Sequence, residues 1–263
     1  MTTASAGVLE QYFSRERELT PEVIEKLPWD TAKPAGPELA GMLHYMMQIE
    51  AHTPIVYYPS LLYTPSAQDP AIASFMERWS REETTHGELL SRYLVHAAPD
   101  SATYIPPQLP GAVKRKAIAL PRKLLGETFI TLHMVWGAIN EITTEVGYTI
   151  LWKETEDLLL RQLLALIRKE EAQHAKVYLG VARDRLNTRA FDRWLVPRIV
   201  KRFWRLVGSH DEDRESMRPM LRMLERALPS FKRRVEGTIR LLPGCDSLDL
   251  ASIAQQQLEG SAP

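Results

Sequence analysis

Apolar residues recur at intervals of three and four along most of this 263-residue chain, while the period-two alternation of β-strands is nearly absent. This pattern predicts four long helices, over about residues 38–63, 70–97, 124–153 and 154–186. Asp69 stands immediately before Pro70, which is typical of a helix N-terminus. The four prolines within residues 99–111 predict a loop between the second and third helices. We therefore expect an all-α protein built around a four-helix bundle.

Shorter helices are predicted on both sides of the bundle. Before it, the pattern predicts helices at about residues 8–19 and 20–27, the second of them capped by Thr20. After it, helices are expected at about residues 189–207 and 211–236, with Pro197, Pro219 and Pro229 bending or splitting them. We expect a single domain over residues 1–242, with the bundle at about 38–187, accessory helices at about 189–237 and a polar C-terminal tail at 243–263.

The composition excludes several classes of protein. Hydrophobic residues make up 44% of the chain and charged residues 25%, which is typical of a globular protein. The 33 basic residues balance the 33 acidic ones, so the net charge does not favour binding to nucleic acid or to anionic membranes. Cys245 is the single cysteine, which excludes an internal disulfide and a four-cysteine metal site. Because no apolar run approaches the roughly 18 residues that cross a bilayer and no N-terminal signal segment is found, we expect a cytoplasmic protein without a membrane span.

Each of the four long predicted helices places a carboxylate in the middle of its apolar face. The first and third helices carry lone glutamates, while the second and fourth carry Glu-x-x-His pairs whose members share a face because they are three residues apart. In chain order these candidates are Glu50, Glu83 with His86, Glu141, and Glu171 with His174. Glu145, one turn after Glu141, is an alternative on the third helix that the sequence leaves open.

Carboxylates that converge in a core must be protonated, paired with cations or bound to metal. Lysine and arginine are nearly absent from these four apolar faces. Four carboxylates and two neutral imidazoles balance the charge of two divalent cations, and a carboxylate-rich set of oxygen and nitrogen ligands suits iron or manganese. We therefore predict two iron ions, with manganese as the alternative, in the ligand pattern of ferritin-like bundles. The other interpretation is a bundle whose Glu and His side chains are partly exposed or hydrogen-bonded to tyrosines without metal.

Several neighbouring residues have alternative interpretations. Glu82 and Glu170 immediately precede the motif glutamates and are expected to surround the ligands or to face solvent. Gly137 and Ala138 either leave space beside the metals for a slender apolar substrate or allow close helix packing. The remaining histidines are expected to be surface or structural residues; they are His44, His52, His96, His133 and His210.

The second long helix also carries the clearest resemblance to a known family. Its segment Trp79-Ser-Arg-Glu-Glu-Thr-Thr-His86-Gly-Glu-Leu-Leu-Ser-Arg-Tyr93-Leu resembles the second iron helix of the soluble acyl-acyl carrier protein desaturases, a ferritin-like family. Three further segments resemble the other metal-binding segments of that family: Glu50 followed by Pro54, Glu141-Ile-Thr-Thr144, and Glu170-Glu171-Ala-Gln-His174. The resemblance covers about residues 38–187. Pro54 should kink the first helix beside Glu50.

The resemblance implies an O2-dependent di-iron enzyme that acts on an unactivated carbon of an acyl chain bound to acyl carrier protein. It also implies that Thr144 takes part in oxygen activation and proton delivery, that Glu170 belongs to a path of outer residues, and that Trp29 is a candidate for the same path. An external donor such as ferredoxin would supply electrons, and the protein would be a homodimer. The alternatives are a tailoring oxygenase or hydroxylase with another small or carrier-bound substrate, and a ferritin-like protein that binds iron or scavenges peroxide.

The zero net charge results from an acidic first part of the chain and a basic second part. Residues 1–110 hold 7 basic and 14 acidic side chains, whereas residues 111–263 hold 26 basic and 19 acidic side chains. The basic groups include Lys114–Lys116, Arg122–Lys123 and the arginines between 183 and 205. They are either a docking surface for an acidic carrier protein or ferredoxin, or an ordinary solvated face.

Overall fold

The computed structural model describes residues 3–103, 124–205 and 218–259, and in these residues the chain is an all-α bundle without β-strands. The predicted fold class is therefore confirmed. The helices are α1 (Thr3–Ser14), α2 (Pro21–Glu25), α3 (Pro37–His52), α4 (Tyr58–Leu61), α5 (Pro70–Ala97), α6 (Glu127–Glu154), α7 (Leu158–Thr188), α8 (Ala190–Phe203), α9 (Arg218–Phe231), α10 (Gly237–Ile239) and α11 (Leu250–Leu258). No helix in the described ranges is long and apolar enough to cross a membrane.

Two helical hairpins form the bundle, because α3 packs along α5 and α6 packs along α7. The N-terminus of α5 is capped as predicted: the Asp69 carboxylate accepts hydrogen bonds from the backbone N–H groups of Ala71 (3.0 Å) and Ile72 (3.2 Å). The fourth long helix begins at residue 158 rather than 154. Asp157 caps it by accepting a hydrogen bond from the Leu160 N–H at 3.1 Å, so residues 155–157 form the turn of the second hairpin.

The first long helix is irregular where the sequence predicts a kink. A π-helical turn, Thr53–Tyr57, separates α3 from α4 and contains Pro54, which has no N–H to donate. The Glu50 carbonyl accepts a hydrogen bond from the Thr53 N–H instead. The predicted continuous helix over residues 38–63 is therefore two helices joined by this turn.

The N-terminal helix lies against α7, although it is displaced from the predicted range of residues 8–19. It ends at Ser14, and Leu9 and Tyr12 are buried. Contact with α7 is close, because a Cβ atom added at Gly180 would lie 2.9 Å from Val8 Cγ2. This contact fixes α1 beside the bundle.

The prediction of a polar tail over residues 243–263 is wrong for its described part. Residues 250–258 form α11, capped by Asp249, which accepts a hydrogen bond from the Ser252 N–H at 3.1 Å. Leu248, Leu250 and Ala254 are buried in the main core. These apolar side chains anchor the C-terminal segment against the bundle. The packed part of the chain thus continues past residue 242.

Two of the prolines predicted to bend or split the accessory helices do not split them. Pro197 lies inside the continuous helix α8, and Pro229 lies inside α9 just before a second π-helical turn, Lys232–Glu236. Residues 104–111 of the predicted loop and residues 206–217, which include the start of the predicted helix at 211, lie outside the described residues.

At Gly137 on α6 the structure shows close packing rather than open space. A Cβ atom added at Gly137 would lie 2.3 Å from Cε1 of Tyr178. The tyrosine ring therefore fills the space that one interpretation of the sequence assigned to a slender substrate. Tyr178 is fully buried, and its ring packs edge-on against Phe75 at 5.0 Å between centroids.

We expect Gly137→Ala to destabilise the protein by about 1–3 kcal/mol, because the added methyl group overlaps the Tyr178 ring. Gly147→Ala on the same helix is the matched control, since the added methyl group would lie 3.6 Å from Met223 Cε, an ordinary van der Waals distance. That change should be neutral or stabilise the protein by up to about 1 kcal/mol. Urea unfolding followed by circular dichroism measures both, and equal effects would contradict the packing argument.

Candidate metal centre

The six predicted ligands come from α3, α5, α6 and α7 and meet inside the bundle. Each is at most 6% exposed. They form two groups of four, in each of which one ligand atom per residue lies within 4.8 Å of the others. The first group, the His86 subsite, is Glu50, Glu83, His86 and Glu171; the second, the His174 subsite, is Glu83, Glu141, Glu171 and His174. Because Glu83 and Glu171 belong to both, the arrangement fits two cations that share two carboxylates.

The ligand atoms face one another without forming hydrogen bonds. His86 Nδ1 lies 3.0 Å from Glu171 Oε1, and His174 Nδ1 lies 3.1 Å from Glu83 Oε1. Five atoms of this cluster are buried and have no hydrogen-bond partner among the described residues: Glu50 Oε2, Glu83 Oε1, His86 Nδ1, Glu171 Oε1 and His174 Nδ1. Buried polar atoms are normally satisfied, so this concentration of unsatisfied carboxylate and imidazole atoms fits a cation-binding site.

The glutamates that precede the two motifs hold the histidines in a crosswise arrangement. His86 Nε2 lies 3.0 Å from Glu170 Oε2, and His174 Nε2 lies 2.8 Å from Glu82 Oε2. Both glutamates are fully buried, which excludes the solvated interpretation. Each outer carboxylate fixes the orientation of an imidazole ring so that its Nδ1 faces the cluster, as second carboxylates do for metal-bound histidines.

Aromatic donors orient the two lone glutamates. Trp79 Nε1 donates a hydrogen bond to Glu141 Oε1 at 3.1 Å, and the Tyr148 hydroxyl donates to Glu50 Oε1. The second oxygen of each glutamate approaches a histidine of the cluster. Each lone glutamate therefore has one oxygen held by the protein and one oxygen directed at the cluster.

The structure decides between Glu141 and Glu145. The Glu145 carboxylate lies 2.5 Å from Arg234 Nη2 and 4.0 Å from Arg168 Nη2, and it is not a member of the cluster. Thr144 lies between the two glutamates on α6 and is partly buried. Its catalytic role remains a proposal.

The structure does not place Trp29 beside Glu170. The Trp29 indole donates to the Ile24 carbonyl at 3.0 Å, and its ring lies against His96 and beneath the Arg92 guanidinium. Glu170 instead lies beside His86 and Arg15. Trp29 and Glu170 are not in contact, because Trp29 packs against Arg92 and His96 near the C-terminal end of α5.

Two important neighbours of the cluster were not predicted from the sequence. The Tyr12 hydroxyl donates to Glu82 Oε2 at 2.5 Å, and Arg78 Nε donates to Glu82 Oε1 at 3.0 Å. Arg78 stands four residues before Glu82 on α5, and this spacing could have predicted their ion pair from the sequence. Tyr12 had no such signal, because its position depends on how α1 docks.

The other histidines largely have the structural roles expected of them. His44 Nδ1 is paired with the Ser101 carbonyl at 2.8 Å, and buried His133 is paired with Ser66 Oγ at 2.9 Å. His96 stacks on Trp29, and His52 is partly buried at the end of α3. His210 lies outside the described residues.

Burial and mutual repulsion shift the proton affinities of the cluster. Burial and the charge of Glu171 raise the pKa of Glu141 to about 8, and burial with the charges of Glu50 and Glu171 raises the pKa of Glu83. Burial alone would lower the pKa values of His86 and His174, but the carboxylates around each ring raise them, with Glu170 and Glu171 contributing most at His86 and Glu141 and Glu171 most at His174. Without a cation, the cluster therefore retains protons that balance its negative charge.

The outer carboxylate Glu82 behaves in the opposite way. Burial would raise its pKa, but hydrogen bonds from His174, Tyr12 and Arg78 outweigh burial and lower the pKa to about 2. Glu82 is therefore ionised at neutral pH and accepts the His174 N–H.

Comparisons with protein-family models, curated proteins and solved structures give no match for this chain. The geometry of the cluster and the sequence motifs are thus the basis for a functional proposal.

We expect Mn²⁺ to stabilise the protein more at about pH 8.5 than at about pH 6.5, because binding must displace protons. The folded pKa of Glu141 is raised from 4.5 to about 8, and those of the histidines are raised above 6.5. Protonation of these three side chains stabilises the metal-free protein fully below their pKa values in the unfolded chain. This stabilisation is lost as the pH rises through their pKa values in the folded protein. Thermal unfolding with and without Mn²⁺ measures the difference.

Glu145→Gln is the matched control for this prediction, because Glu145 lies on the same helix but outside the cluster. It should leave the pH dependence of the Mn²⁺ effect unchanged, whereas Glu141→Gln should reduce it. A Tm increase that is independent of pH, or larger at acidic pH, would contradict proton displacement.

Proposed function

We propose that the protein is an O2-dependent di-iron oxidoreductase similar to the soluble acyl-acyl carrier protein desaturases. The observation that carries this proposal is the pair of overlapping subsites, which share Glu83 and Glu171 and contain five buried atoms without hydrogen-bond partners. The substrate would be an acyl chain on a carrier protein, attacked at an unactivated carbon. This part rests on the resemblance of residues 38–187 to that family.

The donor set favours iron or manganese over softer or structural metals. Four carboxylates and two imidazoles supply only oxygen and nitrogen, and Cys245 is buried near α11 rather than in the cluster. Iron is the proposed metal because bound iron can supply electrons and a site for the reduction of O2. Glu50 and His86 would serve one ion, Glu141 and His174 the other, and Glu83 and Glu171 both.

The chain itself would keep this site oriented and dry. Trp79 and Tyr148 hold the lone glutamates, while Glu82 and Glu170 hold the histidines. Burial of every ligand excludes bulk water, which strengthens electrostatic interactions and protects reactive species. Thr144, one turn from Glu141, is the proposed proton donor.

A basic surface on α8 supports an acidic protein partner, either the carrier protein or an external donor such as ferredoxin. This α8 face consists of the exposed residues Phe191, Trp194, Arg198, Lys201 and Arg202, which share one side of the helix. Its only acidic neighbour on the helix, Asp192, is buried and paired with Thr128 and Arg189. Exposed arginines and aromatic residues are typical of binding surfaces.

The basic groups Lys114–Lys116 and Arg122–Lys123 lie outside the described residues. A homodimer is proposed from the resemblance alone.

One observation favours a protein without a long organic substrate. The space beside Gly137, which would suit a slender chain, is filled by the Tyr178 ring. The second candidate function is therefore a ferritin-like protein that binds iron or scavenges peroxide, and a tailoring oxygenase with a small substrate is a related possibility. All three share the same metal centre, and only the reaction distinguishes them.

We expect the iron-loaded protein, reduced and then mixed with O2 in a single turnover, to remove two hydrogens from an acyl chain on acyl carrier protein or to hydroxylate it. Mass spectrometry of carriers loaded with different chain lengths identifies the product. Indifference of O2 consumption to every acyl carrier, together with rapid destruction of peroxide, would overturn the desaturase proposal and favour the scavenger.

Metal analysis provides the control for this experiment. Glu83→Ala and His174→Ala should lose bound iron, whereas Glu145→Gln should retain two ions per chain because Glu145 is paired with Arg234. Retention of two ions in both cluster variants would overturn the metal centre itself.

Reversing one charge on the α8 face, Arg198→Glu, should weaken binding of the acidic partner about tenfold, and less so at high salt. Arg81→Glu is the control, because Arg81 is equally cationic and exposed but lies on α5 in a pair with Glu77. Surface plasmon resonance with acyl carrier protein and ferredoxin measures both. Equal effects of the two reversals would indicate only a general charge effect.

A further inference from the structure

The two outer carboxylates differ in how firmly the protein holds them. Both oxygens of Glu82 have hydrogen bonds: Oε2 with Tyr12 and His174, and Oε1 with Arg78. Glu170 is bonded through Oε2 to His86, while its Oε1 has no hydrogen-bond partner among the described residues. The Arg15 guanidinium approaches that oxygen only to 3.8 Å.

The additional support for Glu82 comes from the N-terminal segment. Arg78 donates through Nη1 and Nη2 to the carbonyls of Tyr12, Phe13 and Arg15 at 3.0–3.2 Å, while its Nε bonds Glu82. One guanidinium thus joins the C-terminal end of α1 to the outer carboxylate. The same guanidinium lies 4.6 Å from the centre of the Tyr12 ring.

Contacts along α7 fix the position of this segment. Val8 packs directly over Gly180, and Lys176 Nζ donates to Gln11 Oε1 at 2.7 Å. The Tyr12 ring packs edge-on against Phe75 at 5.2 Å between centroids. The Tyr12 hydroxyl is therefore held at Glu82 by packing on both sides of α1.

We propose that residues 3–17, the N-terminal clamp, position Glu82 on His174 and so give the His174 subsite tighter cation binding than the His86 subsite. A metal-binding imidazole is more effective when its second nitrogen is held by a fixed carboxylate, and loss of such support typically lowers metal affinity about 10–100-fold. The clamp donates a hydrogen bond to Glu82 through Tyr12 and so supports His174, whereas it donates none to Glu170, which Arg15 approaches only to 3.8 Å. This inference rests on the proposed metal centre and makes Tyr12 a positioning residue.

The test is calorimetric titration of the metal-free protein with Mn²⁺, in which wild type should bind two ions in two resolved steps. His174→Ala should remove the tighter step and His86→Ala the weaker one. Tyr12→Phe should lower the affinity of the tighter step about tenfold or more and leave the weaker step unchanged. A loss of stability alone would not separate the two steps in this way.

Tyr93→Phe is the matched control, because it removes the hydroxyl of another buried tyrosine, which is bonded to Asp157 at 3.0 Å and lies outside the cluster. Both Mn²⁺ affinities should remain those of wild type. Gly180→Leu is a second test, since it displaces Val8 and α1 while Tyr12 and Glu82 stay chemically intact. It should weaken the tighter step selectively, with circular dichroism showing that the fold is retained.

Unchanged affinities in both Tyr12→Phe and Gly180→Leu would overturn the clamp, as would equal weakening of both steps or assignment of the tighter step to His86. If wild type binds two Mn²⁺ ions and the variants do not differ from it, only the clamp inference fails. If wild type binds neither Mn²⁺ nor Fe²⁺, the proposed metal centre fails and the clamp with it.

Discussion

Repulsion among four carboxylates buried in one place is the constraint on which the rest of this structure depends. Carboxylates at such short range are incompatible with a dry core unless positive charge lies among them. The bundle supplies two imidazoles between the carboxylates, and aromatic donors hold the outer oxygens of Glu50 and Glu141. Around this cluster, the arginines of α5 and of the N-terminal segment compensate Glu82 and Glu170. The apolar core can surround the cluster only because these charges are balanced locally.

Helical periodicity was sufficient to predict the bundle and the membership of the cluster. Residues three or four apart share a helix face whatever the tertiary arrangement, so the two Glu-x-x-His pairs and the lone glutamates could be assigned to one interior. The choice between Glu141 and Glu145 was different, because both lie near the same face of α6. It depends on Arg234, which comes from a π-helical turn far along the chain, and no local pattern specifies that contact.

Features that depend on docking between distant segments were also missed, because no local sequence pattern specifies such contacts. Tyr12 reaches Glu82 across 70 residues of sequence, and only the seating of α1 on α7 brings them together. The segment after residue 243 is rich in glutamine and serine, but the apolar residues in its described part are buried or packed against the core, so its polar residues were a poor guide to its burial. At Gly137 the sequence allowed either space or close packing, and the partner that fills the space, Tyr178, lies on another helix.

The crosswise pairing of His86 with Glu170 and of His174 with Glu82 has a mechanical consequence. Each hairpin contributes one histidine and the carboxylate that holds the histidine of the other hairpin. Neither hairpin can therefore preorganise its own imidazole before the two associate. A shift of α5 along α7 would lengthen both the His86–Glu170 and the His174–Glu82 contacts. Both contacts therefore fix the register between the two hairpins. Assembly of the halves and alignment of the rings are consequently a single cooperative event.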